Sequence, residues 1–226
     1  MEMTHTEKND FRPQKSPLIE ELESRPLYEA LKKTMDVTCA LVGLIFVSIL
    51  FLAVAIAIKI EDSAGPVFYS QLRVGKNGKL FKMYKFRSMV VDADSKLEAL
   101  LQHNEVSGAM FKMKNDPRIT FIGKFIRKTS IDEMPQLFNV LKGDMSLVGP
   151  RPPLPREVEL YSAYDKQRLL VTPGCTGIWQ ATSRNNVGFE EMVEMDLEYI
   201  RKRSIWLDIK LIFKTIFLLF GSRNAF

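Results

Sequence analysis

The feature that most constrains this chain is a long apolar run, VTCALVGLIFVSILFLAVAIAI, which extends from Val37 to Ile58 without a charged residue. Roughly 20 apolar residues in a helix match the thickness of a bilayer core, so the run predicts a membrane helix. It begins too far from the N-terminus and is too long for the apolar region of a cleaved signal peptide, and no small-residue cleavage site follows it. We therefore expect the run to act as a permanent membrane anchor.

The charges that flank this run leave two topologies open. Lys32 and Lys33 precede it and Lys59 follows it, so the positive-inside rule gives little preference between the two ends. A helix that enters the membrane and returns to the same face would show this pattern. Such a re-entrant hairpin needs a break, for which Gly43 and Ser48 are the candidates, and the alternative is a plain single span.

The rest of the chain is organised around this anchor. Residues 1–25 predict a disordered tail, and residues 26–60 predict a short amphipathic start followed by the membrane helix. Residues 61–226 predict one compact catalytic domain, and the expected fold class is mainly α with a small β-hairpin, that is α+β.

The C-terminal segment is strongly apolar from Ser204 onward, with polar residues clustered on one side at helical spacing. These polar residues are Asp208, Lys210, Lys214 and Thr215. The pattern predicts an amphipathic helix in the membrane interface, and the alternative is a buried core helix.

Positive charge is concentrated in one stretch, although the net charge of the chain is only +5. No acidic residue lies from Ser63 through Val91, and the stretch contains Arg73, Lys76, Lys79, Lys82, Lys85 and Arg87. This block predicts binding of anions. A nucleic-acid partner is not expected, because such a protein would place more aromatic residues among the basic ones and has no need of a membrane anchor.

The basic stretch also predicts a β-hairpin. Asn77 and Gly78 supply the positive φ angles of a tight turn, and aromatic and β-branched residues flank them. Lysines on an edge strand also prevent aggregation, which is the alternative interpretation for those nearest the turn. Lys85 and Arg87 are predicted to face a ligand.

With only two cysteines, far apart, and two histidines, the sequence shows no metal-ligand spacing of the zinc type.

An acidic pair, Asp132 and Glu133, precedes Pro135 inside an apolar helical pattern. One interpretation is a capping box, with Ser130 as the N-cap and Glu133 as its reciprocal acceptor. In that register Pro135 would lie inside the helix, where it costs a hydrogen bond. If the helix begins at Asp132 instead, Pro135 falls in the first turn and removes a donor that would otherwise engage the aspartate. The Asp132 carboxylate would then be free for a metal or a substrate.

A free carboxylate beside a second one suits phosphate chemistry. Mg²⁺ takes one or two carboxylates together with phosphate oxygens, and a carboxylate can also attack phosphorus to form an acyl phosphate. Arg127, just upstream, and Arg151, in the stiff segment GPRPPLP, would balance phosphate charge. From these residues alone, capping and catalysis both remain open.

Several segments together resemble a known family. YKFRSM, IRKTSIDEMPQLFNVLKGDMSLVGPRPPLPRE, VTPGCTGIWQATSRN and MDLEYIRKRSIWLDIKLIFKT are similar in order and spacing to the bacterial sugar transferases called monotopic phosphoglycosyl transferases. The similarity extends from about Lys32 to about Leu219. It implies a re-entrant helix on the cytoplasmic face of the bacterial inner membrane, flanking interfacial helices, contact with membrane lipids, and a capacity to form homo-oligomers.

The resemblance also implies a chemistry. Asp132 would be the nucleophile and Glu133 its partner, both beside Mg²⁺ as the cofactor. Asp132 would attack the β-phosphorus of a UDP-sugar, release UMP, and pass the sugar phosphate to undecaprenyl phosphate. The residues inferred to bind phosphate or substrate are Arg73, Lys85, Arg87, Arg127, Arg151, Gln180 and Arg184.

The segment GIWQATSR is similar to a GxWQxxGR pattern of hexose-1-phosphate transferases, which makes galactose or glucose the expected sugar. Two positions depart from the family. Ser48 is followed by Ile49 where the membrane break usually carries Ser-Pro, and Ser183 stands where the pattern has glycine. The alternative function is a membrane-anchored scaffold that binds anionic lipid without catalysis.

Overall fold

The computed structural model describes residues 25–100, 102, 113, 116–182 and 187–221. The helices are α1 (Pro26–Glu61), α2 (Ala93–Leu100), α3 (Phe121–Lys128), α4 (Gln136–Lys142), α5 (Pro155–Glu159), α6 (Ile178–Thr182), α7 (Phe189–Lys202) and α8 (Ile205–Gly221). The strands are β1 (Phe68–Val74), β2 (Leu80–Phe86), β3 (Ser146–Val148) and β4 (Gly174–Thr176), and short 3-10 turns span Lys76–Gly78, Ile131–Glu133 and Asp165–Leu170. The predicted tail lies outside the described residues except for Arg25.

The predicted α+β class is confirmed, since the described residues are mostly helical with two two-stranded sheets. β1 and β2 pair antiparallel and form the predicted hairpin. Its turn places Asn77 at φ 55° and Gly78 at φ 79°, a region in which glycine and asparagine are the usual residues. The second sheet, in which β3 and β4 pair in parallel, was not predicted, because each strand is too short to show a periodic pattern.

α1 is one continuous helix of 36 residues, about 54 Å long at 1.5 Å per residue. It joins the predicted amphipathic start to the predicted membrane helix and passes through Gly43 and Ser48 without a break. The Ser48 hydroxyl donates to the carbonyl oxygen of Ile45 at 2.8 Å. The re-entrant hairpin is therefore not confirmed and stays a prediction. By length and composition alone, α1 is the one helix in the described ranges that could cross a membrane.

Both ends of α1 are fastened to the same domain. Near its N-terminal end, Lys32 donates to the buried carboxylate of Asp208, in α8, at 3.0 Å. At its C-terminal end, the Glu61 carboxylate accepts from the backbone N–H of Ile122, at the start of α3, at 2.9 Å. The outward face between these ends is apolar, and Phe46 is 82% exposed.

Three apolar clusters fill the interior, and the second and third of them connect α1 to the rest of the domain. The first contains Val148, Val171, Ala181, Val193, Leu197, Tyr199, Ile200 and Leu211. The second contains Ala40, Phe81, Met83, Val140 and Met145, and the third contains Val54, Ile58, Phe86, Ile126 and Ile131. Each buried Val, Leu, Ile, Phe or Met side chain contributes roughly 1.5–3 kcal/mol. Because Ile131 belongs to the third cluster, the residue directly before Asp132 is held in the core.

α8 exposes its apolar face and turns part of its polar face inward. Trp206 and Phe217 are each 76% exposed, whereas Asp208 is fully buried. The expected grouping of Asp208 with the exposed Lys210 is wrong, because Asp208 accepts hydrogen bonds from Lys32 at 3.0 Å and from the hydroxyl of Tyr199 at 2.7 Å. The exposure of these two aromatic side chains also argues against the alternative that this segment is a buried core helix.

Candidate active site

The acidic pair lies in a tight turn between two helices. α3 begins at a Thr120 cap, whose hydroxyl accepts from the backbone N–H of Gly123 at 2.9 Å. After α3, Ser130 adopts the left-handed conformation with φ 57°, and the 3-10 turn Ile131–Glu133 follows. Pro135 is the N-cap residue of α4, where its fixed φ and missing N–H are tolerated.

Both predicted helix registers are therefore wrong. Ser130 makes no side-chain cap hydrogen bond, so there is no capping box at this position. The following α-helix starts at Gln136 rather than at Asp132. The acid pair thus precedes the helix in a turn of its own, which makes the side chains of Asp132 and Glu133 independent of helix capping.

The carboxylate of Asp132 is buried and accepts few hydrogen bonds. Its exposed fraction is 8%, and within the described part of the chain no hydrogen bond from another residue reaches its carboxylate. Burial, followed by the negative charge of Glu133, raises its pKa to about 6, although Lys85 and Arg127 act in the opposite direction. At neutral pH this carboxylate is therefore ionised, more basic than an ordinary aspartate, and available to react.

Glu133 has the opposite electrostatic balance. Its side chain is about half exposed, and its Oε1 accepts from Nζ of Lys85 at 2.6 Å. Partial burial raises its pKa, but Lys85, by charge and hydrogen bond, together with Arg151 and Arg73, outweighs that effect and holds the pKa below its ordinary value. Glu133 therefore remains a charged group at neutral pH.

The structure brings four of the predicted basic residues to the acid pair. Lys85, Arg73 and Arg151 lower the pKa of Glu133, and Arg127 lowers that of Asp132. Burial, and then the charge of Arg151, lowers the pKa of Arg73 to about 10. Positive charges this crowded repel one another, so the site is suited to bind an anion.

Hydrogen bonds to backbone carbonyl oxygens hold two of these arginines, one by its side chain and the other by its backbone. Nη1 of Arg73 donates to the carbonyl oxygen of Pro152 at 3.0 Å, which joins β1 to the proline-rich segment. The carbonyl oxygen of Arg151 accepts from Nη2 of Arg168 at 3.4 Å, and the Arg151 guanidinium lies 5.8 Å from the centre of the Trp179 ring. The side chain of Arg151 is exposed and its backbone is held in place, and that Arg151 faces a ligand stays a prediction.

A tight backbone approach fixes this proline-rich segment to β4. The N–H of Gly149 donates to the carbonyl oxygen of Thr176, and the N–H of Gly174 donates to that of Pro150, each at 2.8 Å. A Cβ added to Gly174 would lie only 2.1 Å from the backbone nitrogen of Gly149, so glycine is required there. The parallel pairing of β3 with β4 thus positions Arg151.

The other predicted binding residues lie in different surroundings. Nη1 of Arg87 donates to Asp62 at 2.9 Å, so Arg87 connects β2 to the end of α1 instead of facing the acid pair. Gln180 lies in α6, and its buried Oε1 has no hydrogen-bond partner among the described residues. Arg184 lies outside the described residues, as does Ser183.

Sequence reasoning missed three residues that support the site. Asn139, fully buried in α4, accepts from the N–H of Tyr84 and donates to the carbonyl oxygen of Lys82, which fixes β2 against α4. Asp196, in α7, is 1% exposed and pairs with Arg168, which is also buried. A signal existed for Asp196, because it shares the helical spacing of buried Val193 and Ile200 in α7.

The acid pair fits the metal that the resemblance implies. Among the described residues there is no group of three or more potential ligands from His, Cys, Asp and Glu. Mg²⁺ does not require one, since it is commonly bound by one or two carboxylates with substrate phosphates and water completing the shell. Asp132 and Glu133 provide hard oxygen donors whose mutual repulsion a cation would relieve. Binding of Mg²⁺ by this pair stays a prediction.

A buried carboxylate among basic residues, next to an apolar surface helix, is typical of membrane-associated proteins that act on phosphate groups. Comparison with known proteins is more specific. The sequence matches the bacterial sugar transferase family over residues 27–222, and the chain belongs to this family.

Three relatives illustrate the range of similarity. The chain is 53% identical over 186 residues to galactosyl transferase CpsE of Streptococcus agalactiae, covering 82% of this chain and 41% of that protein. It is 47% identical over 189 residues to the undecaprenyl-phosphate galactose phosphotransferase of Salmonella typhimurium, covering 82% and 39%. It is 40% identical over 206 residues to the exopolysaccharide production protein ExoY of Rhizobium meliloti, covering 89% and 91%. The chain thus spans about two fifths of the first two relatives and nearly all of the third.

Proposed function

We propose that this protein transfers a sugar 1-phosphate from a UDP-sugar to a polyprenyl phosphate such as undecaprenyl phosphate, as the first step of polysaccharide or glycan synthesis. The single observation that carries the proposal is the state of Asp132, a buried carboxylate that accepts no hydrogen bond from another described residue and has a pKa of about 6. The names of the relatives support the substrate class, since one is an undecaprenyl-phosphate galactose phosphotransferase.

The reaction would proceed in two displacements on phosphorus. A carboxylate oxygen of Asp132 attacks the β-phosphorus of the UDP-sugar, the bond from that phosphorus to UMP breaks, and UMP leaves with the bonding electrons. This step produces an aspartyl sugar phosphate. A phosphate oxygen of the lipid acceptor then attacks the same phosphorus, releases the Asp132 carboxylate, and forms the diphosphate-linked sugar.

The surrounding side chains would stabilise the charge that both steps share. Arg73, Arg127 and Arg151 present guanidinium groups suited to phosphate oxygens, and Lys85 keeps Glu133 ionised. Mg²⁺, when bound by the acid pair, would neutralise phosphate oxygens and reduce their repulsion of the attacking carboxylate. Burial of Asp132 keeps its attacking oxygens poorly hydrated and therefore reactive.

The donor sugar is expected to be galactose, with glucose as the alternative. Two relatives are named for galactose transfer. Within the described residues, Oε1 of Gln180 and Nε1 of Trp179 are buried without hydrogen-bond partners. Buried polar atoms are ordinarily satisfied, so we expect these two atoms to bind the donor.

We further propose that the chain lies on the cytoplasmic face of the bacterial inner membrane, with both ends of α1 on that face. The contacts of Lys32 with Asp208 and of Glu61 with α3 hold the two ends against one domain. An upright span would separate the ends across a hydrocarbon core of about 30 Å. The exposed apolar residues of α1 and α8 would contact lipid.

Labelling with a membrane-impermeant thiol reagent would test this topology. With Ser16→Cys as the only cysteine, after replacement of Cys39 and Cys175 by alanine, we expect labelling only when the cells are opened. A control with a cysteine on a known outward-facing membrane protein verifies that intact cells are accessible. If the Ser16→Cys variant is labelled in intact cells, the proposal is contradicted and a full span is favoured.

The activity is tested directly by release of UMP. The full chain, in membranes with undecaprenyl phosphate and Mg²⁺, is incubated with UDP-galactose, UDP-glucose and their N-acetylated analogues in turn. We expect UMP and a lipid-linked sugar with one hexose donor and much less with the others. Absence of UMP with every donor would contradict the proposal and favour the alternative function, a lipid-binding scaffold without catalysis. Such a scaffold has no need of a reactive carboxylate at Asp132.

A further inference from the structure

A second candidate binding site lies away from the acid pair. A cavity of about 560 Å³ separates the first turns of α1 from the C-terminal end of α4 and from Arg203, which follows α7. Its walls do not include Asp132, Glu133 or the basic residues that surround them. A ligand in this cavity would therefore be distinct from the groups that react at Asp132.

The charged residues on the cavity wall favour an anion. The basic residues are Lys32, Lys33, Lys142 and Arg203, and the acidic ones are Glu29 and Asp36. Both acids are already engaged, since Glu29 pairs with Nη2 of Arg203 at 3.1 Å and Asp36 accepts from the backbone N–H of Leu147 at 3.0 Å. Basic residues thus outnumber acidic ones among the lining residues, although Lys32 and Lys142 also pair with Asp208 and Asp144, which lie outside the wall.

Arg203 provides donors that the protein itself does not use. It is only 4% exposed, and its Nε and Nη1 atoms are buried without a hydrogen-bond partner among the described residues. Its guanidinium also lies 5.5 Å from the centre of the Tyr28 ring, which restricts the orientation of the fork. Since Nη2 pairs with Glu29, the N–H groups at Nε and Nη1 are the ones left to donate to the oxygens of a phosphate or a carboxylate.

The apolar part of the wall narrows the choice of ligand. Val37, Val140, Leu141, Met145 and Val171 also line the cavity. Val37 begins the charge-free run of α1, so the cavity lies where the charged start of this helix meets its apolar part. The volume exceeds what a bare inorganic ion needs, and the mixed wall suits an amphiphile whose anionic group meets Arg203.

We propose that this cavity binds a phosphate group, apart from the reaction site, through Arg203 and Lys142. The phosphate comes either from a lipid headgroup or from free phosphate in solution, and both sources present the same oxygens to the arginine fork. The ligand is not the acceptor of the proposed reaction, because an acceptor phosphate must reach Asp132. Bound phosphate would connect α1, α4 and the end of α7.

The experiment uses the full chain and two probes. In the first arm, the protein is released from nanodiscs of phosphatidylcholine and phosphatidylglycerol and analysed by native mass spectrometry for retained phosphatidylglycerol. In the second arm, inorganic phosphate is titrated onto the detergent-solubilised protein and binding is followed by ³¹P NMR. Lys142→Gln and Arg203→Gln are compared with Lys202→Gln, which removes the same charge from an exposed position outside the cavity.

We expect each cavity variant to weaken binding about tenfold, because a hydrogen bond to a charged group contributes about that much, and the control to bind as the unchanged protein does. If the cavity variants retain less phosphatidylglycerol than the unchanged protein, the site binds a lipid headgroup. If they lose only the binding of inorganic phosphate, the site binds a free anion. Binding of neither probe, or equal losses in the cavity variants and the control, would overturn the proposal. Lys142 is half exposed, so its substitution keeps the test valid even if Arg203→Gln fails to fold.

Discussion

Asp132→Asn is expected to lower the rate of UMP release by about a thousandfold or more, because asparagine cannot form the aspartyl sugar phosphate. The same variant should melt at a higher temperature than the unchanged protein. These two effects have one cause, which is the burial of an ionised carboxylate that receives no hydrogen bond from another described residue.

The sign of the stability effect follows from the pKa of Asp132. Its ordinary value is 3.8, and in the fold it is about 6, so the folded state favours the protonated form. The contribution of this group to stability is therefore full below about pH 4 and is lost as the pH rises through 6. At neutral pH the ionised carboxylate costs up to about 3 kcal/mol, which a neutral asparagine would not.

Thermal unfolding and activity should be measured on the same preparations. We expect the melting temperature to rise by about 5 to 10 °C at pH 7, with a smaller rise at pH 4.5, where Asp132 is protonated. The activity of the unchanged protein should fall about tenfold per pH unit below pH 6, as the reactive carboxylate takes up a proton.

The matched control is Asp92→Asn, which removes the same charge from an exposed aspartate paired with Lys96. It should change neither the rate nor the melting temperature measurably. A sugar-phosphate adduct that persists on the Asp132 variant would transfer the nucleophile's role to another residue. A melting temperature lowered by the substitution would refute the electrostatic account of the site.

Asp196→Ala is expected to cost about 3–5 kcal/mol of folding stability. Asp196 and Arg168 form an ion pair in which both side chains are about 1% exposed. Burial raises the pKa of Asp196 to about 6 despite the opposing charge of Arg168, so the pair is ionised at neutral pH. Without Asp196 the Arg168 charge stays buried and uncompensated, apart from its hydrogen bonds to the hydroxyl of Tyr161 and the carbonyl of Arg151.

A decrease in melting temperature of about 10 °C is the expected measurement for this substitution. Glu198→Ala is the control, since Glu198 lies on the same helix in an exposed pair with Lys202 and should cost well under 1 kcal/mol. Because Arg168 holds the backbone of Arg151, any remaining folded enzyme should also bind the UDP-sugar more weakly. Equal melting temperatures for the two variants would show that the buried pair contributes nothing to stability.

The sequence was sufficient to predict which residues come together in the candidate site, but not the backbone conformation that holds them. The acid pair, the basic residues around it and the β-hairpin were all predicted from local patterns and resemblance, and the structure brings Arg73, Lys85, Arg127 and Arg151 to the pair. The helix register failed because both predictions placed Asp132 and Glu133 within the helix itself. The left-handed Ser130 starts a separate turn, and the next residue, Ile131, packs in the core through contacts with distant segments.

The remaining differences concern contacts between distant segments. Arg87 was assigned to the ligand because of its neighbours in β2, yet it pairs with Asp62, at the end of α1. Asp208 is predicted on the polar face of an amphipathic helix, but it pairs with Lys32 of α1, and Asp196 pairs with Arg168 in the 3-10 turn Asp165–Leu170. Charge and spacing within one segment do not reveal such partners, whereas buried neighbours at helical spacing do indicate the inward face.

The contacts of α1 also have a consequence for biosynthesis. Lys32 and its partner Asp208 are separated by 176 positions in the chain, and Arg25 donates to the carbonyl of Arg203 across 178. A ribosome adds about 5 to 20 residues per second, so roughly 10 to 35 s pass between synthesis of the first partner and the second. During that interval Lys32 has only Asp36, four residues along the same helix at 3.9 Å, as an acidic neighbour and lacks its closer partner Asp208. The anchor is therefore completed last, and loss of α8 during synthesis would leave it without its C-terminal partners.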